Sequence, residues 1–358
     1  MEVNKIYKGN CVEVMKRMPE NSVDLIFADP PYNMQLGGDL FRPDRSKVDA
    51  VDDHWDQFES FKHYDEFTSS WLHEARRVLK PNGTIWVIGS YHNIFRVGKI
   101  LQDIGFWILN DILWIKSNPM PNFMGTRFNN AHETLIWASK SSESKFTFHY
   151  KSMKSANDDK QMRSDWYLPI CSGNERLRID GQKVHSTQKP EALLNRIIVS
   201  TSNPGDLILD PFMGSGTTCA VAKELGRQYI GIEQEVKYIN AAENRINSKE
   251  VIPLNFLQYP IEIKPPKIPF GELIQSGRIK VGSQVFSKDR KNSAIILADS
   301  TLQSGEFVGS IHKVSAQLLS RAANNGWDYW FIEDSSGKLK SIDELRQDYI
   351  KEMQNNEI

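Results

Sequence analysis

Apolar and polar positions alternate along this chain in two rhythms. Val23–Ala28 (VDLIFA) is almost unbroken by polar residues, the pattern of a strand covered on both faces. From Phe67 the apolar residues Phe67, Trp71, Ala75, Val78 and Leu79 fall on one helical face, and Lys80-Pro81-Asn82-Gly83 stops that helix. Thr84–Gly89 (TIWVIG) reads as a second buried strand, Ile94–Leu101 as a helix, and Trp107–Trp114 and Thr134–Ala138 as strands. Further on, Glu191–Thr201, Thr217–Leu225 and Val236–Ile246 have helical spacing, with strands at Leu207–Leu209 and Tyr229–Ile232 between them. Such alternation predicts an α/β fold around a largely parallel sheet.

Two stretches break the rhythm. Asn33–Phe58 and Ser141–Val184 are long, polar and irregular, as functional loops are. After Lys249 the composition shifts again. Pro253, Pro260, Pro265, Pro266 and Pro269 mark a stiff connection, followed by hairpin-like pieces and an aromatic cluster, Trp327-Asp328-Tyr329-Trp330-Phe331. The expected organisation is a first domain over residues 1–250, a Pro-rich linker over 251–268 and a small α+β domain over 269–358.

Composition narrows the class. The chain has 358 residues, 40% hydrophobic and 25% charged, as in ordinary globular proteins. Its net charge of −1 excludes a uniformly basic coat, so any nucleic-acid contact has to come from a local patch. Cys11, Cys171 and Cys219 are far apart and form no CxxC pair, which argues against a disulfide framework or a zinc site. No signal peptide and no membrane-length apolar run is read, so the expectation is a cytoplasmic protein with no membrane partner and no metal.

Two segments carry chemistry. The first strand runs into Asp29-Pro30-Pro31-Tyr32, where the prolines end the ladder and stiffen the turn. Asp29 and the Pro30 carbonyl form an acceptor pair able to hold both hydrogens of an exocyclic amine and so expose its lone pair. Tyr32 offers a face for an extruded base. The second segment is Asp210-Pro211-Phe212-Met213-Gly214-Ser215-Gly216-Thr217-Thr218, a strand passing through a glycine-rich turn into a helix. Glu233 ends the next strand, where an acidic residue accepts hydrogen bonds from a ribose. The full GxGxxG of dinucleotide folds is absent, so an adenosyl ligand without pyrophosphate fits better than a nicotinamide. Upstream, in His185-Ser186-Thr187-Gln188-Lys189-Pro190, Lys189 and the hydroxyls either hold a small carboxylate or belong to an ordinary polar loop.

On these residues the chain resembles the S-adenosylmethionine-dependent amino methyltransferases of DNA. DPPY matches their catalytic motif and DPFMGSGTT their cofactor loop. The order, with the catalytic motif first, resembles the permuted β class, as does HSTQKP just upstream of the loop. Asp at position 29 leans toward adenine. QLGGDL at Gln35–Leu40, DDHWDQF at Asp52–Phe58, NPMPNF at Asn118–Phe123 and the tail from Pro269 resemble the cell-cycle-regulated CcrM type. The resemblance covers essentially the whole chain. It implies a Rossmann-like methyltransferase sheet, N6-methylation of adenine at GANTC in double-stranded DNA, usually by a homodimer, and a nucleoid-associated place in the cytoplasm. It further implies that Asn10 and Cys11 join Asp29, His185, Thr187, Gln188, Lys189, Asp210, Phe212, Gly214, Ser215, Gly216, Thr217, Thr218 and Glu233 around the cofactor.

DNA contacts are expected from four regions. Arg42, Arg45 and Lys47 lie in the long loop and either touch phosphates and base edges or form a solvated face. Tyr91 and His92 follow a strand end, and Lys116, Asn122 and Arg127 lie near another. By resemblance the tail adds Ser310, Ile311, His312 and Lys313, with Asn325 and Trp327, although Trp327 and Trp330 are equally suited to a core. Three rivals remain open from sequence: a nicotinamide oxidoreductase, a catalytically silent DNA-binding protein, and a methyltransferase acting on RNA or on a protein glutamine, the last disfavoured by Asp29.

Overall fold

The computed structural model describes residues 1–34, 56–122, 125–179, 181–257, 268–334 and 337–355, with side chains to residue 353. The chain divides into two compact units, Met1–Pro260 and Ile261–Ile358.

In the first unit the order is β1 (Lys5–Lys8), α1 (Cys11–Met15), β2 (Val23–Ala28), α2 (Phe61–Val78), β3 (Leu79–Gly89), α3 (Ile94–Ile104), β4 (Trp107–Lys116) and β5 (His132–Ser139). Then follow α4 (Tyr150–Ser155), β6 (Asp165–Leu168), the two-residue strands β7 (Arg178–Ile179) and β8 (Gln182–Lys183), α5 (Glu191–Thr201), β9 (Leu207–Asp210), α6 (Thr217–Glu224), β10 (Gln228–Glu233) and α7 (Val236–Ser248). Eight strands form one sheet, ordered β1-β10-β9-β2-β3-β5-β4-β6. The run from β1 to β3 is parallel, while β5 is antiparallel to both its neighbours. Apolar clusters cover both faces of the sheet. One gathers Ile26, Val87 and Leu209 with Trp71, Leu72 and Ala75 of α2. The other gathers Leu25, Phe27 and Ile208 with Leu194 and Ile197 of α5. Burial on both sides explains why β2 and β9 read as continuous hydrophobic runs.

One expected boundary moves. The KPNG segment does not separate helix from strand, because α2 ends at Val78 and Leu79 already pairs with Val23. Pairing then skips to Leu25 with Thr84, so Pro81–Gly83 are accommodated as an irregularity inside β3. The start of the expected linker also packs: the Ile252 N–H donates to the Glu224 carbonyl (2.8 Å), and Leu257 is buried in the first unit. Residues 258–267 lie outside the described residues.

The second unit contains α8 (Phe270–Gln275), β11 (Gln284–Ser287), β12 (Ser293–Ile296), β13 (Leu302–Ser304), β14 (Phe307–Gly309), α9 (Ile311–Leu318), α10 (Gly326–Tyr329), β15 (Trp330–Glu333), β16 (Leu339–Ser341) and α11 (Ile342–Asn355). Its sheet, β14-β13-β12-β11-β15-β16, is antiparallel throughout. Trp330 is fully buried among Leu273, Val285, Ile296, Leu302 and Ile342, and its indole N–H donates to the Ile311 carbonyl (3.0 Å). Gly326 opens α10 against α9 so closely that a Cβ there would stand 2.4 Å from the Ile311 backbone. Gly326→Ala is therefore expected to destabilise this unit by about 1–3 kcal/mol through overpacking, read as a lower unfolding midpoint in urea.

Candidate active site

Topology brings the two motifs together. Strands β2 and β9 are neighbours, with Leu25 paired to Ile208 and Ile26 to Leu209. Asp29 follows β2 and Asp210 closes β9, so two segments far apart in sequence meet at the C-terminal edge, where open α/β sheets bind ligands. Between them lies a cavity of about 280 Å³, lined by Asp29, Pro30, Pro31, Tyr32, Phe212, Gly214, Glu233 and His185 among others.

The Asp29–Tyr32 turn is held from behind. The backbone N–H groups of Tyr32, Asn33 and Met34 all donate to the carboxylate of Asp56, those of Asn33 and Met34 at 2.9 Å each. Asn33 sits in the left-handed region (φ 54°), which lets successive amides converge on one anion. Its side-chain oxygen accepts from the Phe58 N–H (3.3 Å). Tyr64 of α2 donates its hydroxyl to the Pro31 carbonyl (2.9 Å) and accepts from Asn93 (3.1 Å).

Four charged side chains meet beside this turn. Lys189 donates to Asp29 Oδ2 at 2.7 Å and stands 3.8 Å from Glu133 Oε2. Lys116 pairs with Glu133 Oε1 at 2.8 Å, and the Tyr32 hydroxyl donates to Glu133 Oε2 at 3.0 Å. Burial raises the Asp29 carboxyl above its ordinary range, with the Lys189 ammonium opposing it. Burial acts the same way on Glu133, yet Lys189 and Lys116 together hold its carboxyl below the usual range. Burial works against the charge on Lys189, but Asp29 and Glu133 prevail and raise its pKa.

The glycine loop matches its expected form. Gly214 and Gly216 have φ of 51° and 75°, a region favouring glycine, and a Cβ on Gly216 would stand 2.7 Å from Ala242 Cβ. Glu233 gathers this corner: Oε2 accepts from the Gly214 N–H (2.8 Å) and Oε1 from Gln234 and Glu235 N–H (2.7 and 2.9 Å). Phe212 packs edge-on against Trp71. His185 lies against Tyr238, and burial lowers its pKa to about 3, so it faces the cavity as a neutral imidazole. Burial pushes the Asp210 carboxyl up to about 7, while its Oδ1 accepts from the Phe212 N–H (3.0 Å).

Several expected cofactor residues are braces rather than cavity walls. Asn10 caps α1 by accepting from the Val12 and Glu13 N–H groups. Gln188 accepts from Leu177 N–H and donates to the Glu175 carbonyl. Thr217 accepts from Arg245 (2.7 Å) and donates to the Lys189 carbonyl, tying the two loops together. Ser215 and Thr218 are buried within the loop. Cys11 and Thr187 do line the cavity, and burial pushes the Cys11 thiol up to about 12. Lys189, expected to hold a small carboxylate, donates at 2.7 Å to the carboxylate of Asp29.

The expected DNA contacts divide similarly. Arg42, Arg45 and Lys47 lie outside the described residues. Tyr91, His92 and Arg127 come together, with ring centroids of Tyr91 and His92 4.0 Å apart and the Arg127 guanidinium 5.9 Å from the Tyr91 ring centroid. Asn122 donates to the Arg127 carbonyl (3.1 Å). Lys116 is corrected: it is turned inward to Glu133 rather than presented at a surface. In the second unit Ser310 caps α9, His312 accepts from the Gly326 N–H (2.9 Å) and Asn325 caps α10, all three exposed, as is Lys313. Ile311 and Trp327 are corrected to core positions, Trp327 lying 4.2 Å beneath the Arg346 guanidinium.

Two site residues were not foreseen, Asp56 and Glu133. Asp56 stands inside the quoted DDHWDQF segment, but a carboxylate bound to backbone amides more than twenty residues away leaves no local signature. Glu133 opens a strand, a position that points to the site only once that strand is known to run antiparallel.

A mixed sheet of this order, with the Asp29–Tyr32 turn and a glycine loop at adjacent strand ends, has the architecture of a Rossmann-like methyltransferase. A DNA methylase family model matches residues 23–244, and a second, "Restriction Enzyme Adenine Methylase Associated", matches residues 257–355. The chain is 50% identical over 348 residues, 97% of each chain, to the type II methyltransferase M.HinfI of Haemophilus influenzae. It is 43% identical over 250 residues, 70% of this chain and 89% of the other, to the type II methyltransferase M2.MboI of Moraxella bovis. Among solved structures, an M1.HpyAVI–SAM complex is 29% identical with a TM-score of 0.50, covering 68% of this chain and 98% of that one. The cytosine-N4-specific PvuII DNA methyltransferase shares the fold at 22% identity and a TM-score of 0.54, covering 72% of this chain and 90% of that one. This chain belongs to the DNA methylase family. Among the described residues no helix is long and apolar enough to cross a membrane, and no group of three or more His, Cys, Asp or Glu is placed to hold a metal ion.

Proposed function

We propose that this chain methylates the N6 amine of adenine in double-stranded DNA, at GANTC sites, with S-adenosylmethionine as methyl donor. The observation that carries this reading is the shared cavity, with the Asp29–Tyr32 turn on one side and the Gly214–Glu233 corner on the other. The residues present fit an adenosyl donor. Glu233 offers carboxylate oxygens to ribose hydroxyls, Phe212 and Tyr238 offer aromatic surface, and His185 stays neutral beside a cationic ligand. When bound, S-adenosylmethionine supplies an electrophilic methyl group on a sulfonium.

The remaining work falls on this chain. The exocyclic amine of adenine is a poor nucleophile because its lone pair is delocalised into the ring. We assign its two hydrogens to Asp29 Oδ1 and the Pro30 carbonyl, a geometry that frees the lone pair. Lys189 on Oδ2 and the Asp56 nest behind the turn fix both acceptors before the base arrives, which is electrostatic preorganisation. Tyr32 lines the cavity as the ring on which the flipped base stacks. Once methylated, the N6 nitrogen would carry the positive charge and lose it as one of its protons passes to Asp29 Oδ1, which already accepts its hydrogen bond, and from there to solvent.

The match of residues 257–355 to an adenine-methylase-associated module supports adenine, while a DNA-binding role for the second unit, with Ser310, His312, Lys313 and Asn325 as its exposed candidates, rests on the family resemblance. Tyr91, His92, Asn122 and Arg127 are candidates in the first. The GANTC site, a homodimer, and a cytoplasmic, nucleoid-associated setting are part of the same proposal, resting on the family resemblance.

Tritiated methyl incorporation into a GANTC duplex and a scrambled duplex tests it. Incorporation confined to GANTC, falling as salt rises, is the expected result. Folded protein that binds S-adenosylmethionine but labels neither duplex would refute the reading, and equal labelling of both would remove GANTC alone.

A further inference from the structure

We propose that Glu133, backed by Lys116, is a positioning residue that aims Lys189 and the Tyr32 hydroxyl and thereby sets the acceptor Asp29. This rests on the methyltransferase reading of the site. Glu133 holds three partners at once: Lys116 at 2.8 Å, the Tyr32 hydroxyl at 3.0 Å and Lys189 at 3.8 Å. Two of those partners are the residues that hold Asp29 and that face the base. The side chains of Glu133, Lys116 and Lys189 are only 12%, 13% and 7% exposed.

Stability alone is a weak reason for such a cluster. Burying two carboxylates and two ammoniums costs about as much desolvation as their attraction returns, and well-packed apolar residues often do as well. The cluster does something apolar residues could not. Without Glu133, only Asp29 at 2.7 Å and a long bond to the Thr187 carbonyl at 3.4 Å would hold the Lys189 ammonium, leaving it free to swing across both carboxylate oxygens. Glu133 Oε2 draws it to one side, onto Oδ2, and the same oxygen pins the Tyr32 ring through its hydroxyl. Lys116 then balances the second carboxylate, so the four charges sum to zero.

Charge balance gives the proposal a signature. Asp29 is faced by Lys189, Glu133 and Tyr32, with the carboxyls of Asp56 and Asp210 acting on it from the turn and from β9. Lys189 is further faced by Arg176. Removing the negative charge of Glu133 favours ionised Asp29, so Glu133→Gln is expected to move the acidic limb of the kcat profile to lower pH. Lys116→Met leaves an excess negative charge and is expected to move that limb to higher pH, each shift being about one unit. Both singles are expected to lose kcat by about tenfold to a hundredfold through misplacement of Lys189 and Tyr32. Because Lys116 acts only through Glu133, the double variant is expected to lose no more kcat than Glu133→Gln alone, with its limb back toward wild type, whereas independent structural defects would add.

The experiment uses the full chain with S-adenosylmethionine and an adenine-containing duplex, measuring kcat against pH and the dissociation constant of S-adenosylmethionine. Opposite limb shifts, with a double variant no less active than Glu133→Gln, support the proposal. Limbs that stay put or move together, or a double variant with additive loss, overturn it. Should Glu133→Gln fail to fold, the direction of the Lys116→Met limb decides alone. Failure of the wild-type chain to methylate any duplex removes the functional reading, whereas wild-type activity with unperturbed variants removes only this proposal.

Discussion

Asp29→Ala is expected to lower kcat by about 100- to 1,000-fold, the typical cost of one preorganised group that acts at the transition state. The protein should still fold and bind S-adenosylmethionine, because Lys189 keeps Glu133 as a partner at 3.8 Å when Asp29 is gone. The Glu233 corner of the cavity, held by its own three amide bonds, is untouched. Calorimetric binding of S-adenosylmethionine beside single-turnover methylation separates the two effects. Turnover that survives in the variant would take Asp29 out of the reaction. The effect should fall on kcat rather than on KM for DNA, since the acceptor pair matters most once the amine becomes a nucleophile.

The second large effect is expected at Asp56, a residue that need not touch the base. Asp56→Ala leaves the amides of Tyr32, Asn33 and Met34 without their shared acceptor, each unpaired amide costing about 1–3 kcal/mol where water cannot replace it. The turn then relaxes, and a displacement of about 1 Å at the acceptors is enough for a loss near 100-fold in kcat. Asp56→Asn keeps one oxygen but turns an amide donor toward backbone donors, so its activity should fall between wild type and Asp56→Ala. Methylation rates for the three proteins, with melting temperatures recorded alongside, give that order or refute it. Rates within about threefold of one another would show that the prolines and the Tyr64 bond to the Pro31 carbonyl hold the turn without Asp56.

Much of the first unit was legible from periodicity. Strands β2, β3, β9 and β10 announce themselves as short buried runs, and α5, α6 and α7 by apolar spacing, because each must bury a face against the sheet. The glycine loop was legible for a local reason too: left-handed backbone at Gly214 and Gly216 demands that residue type. Hydrogen-bond partners were not. Thr217 reads as a ligand-binding hydroxyl in DPFMGSGTT, yet it spends its oxygen on Arg245 and the Lys189 carbonyl. Trp327 reads equally as a DNA-facing ring and as core, and only packing beneath Arg346 decided for core.

What the sequence by itself determined is which two segments are the site candidates, because a stiff proline turn after a buried strand and a glycine turn before a helix are local properties. Strand order and strand direction were decided only in three dimensions. Parallel pairing of β2 with β9 sets Asp29 and Asp210 at one edge. Antiparallel pairing of β5 brings its first residues, Glu133 among them, to that same edge, opposite the end of β3 where Gly89 pairs with Thr134. No local pattern encodes that reversal, since a strand buried on both faces looks the same in either direction.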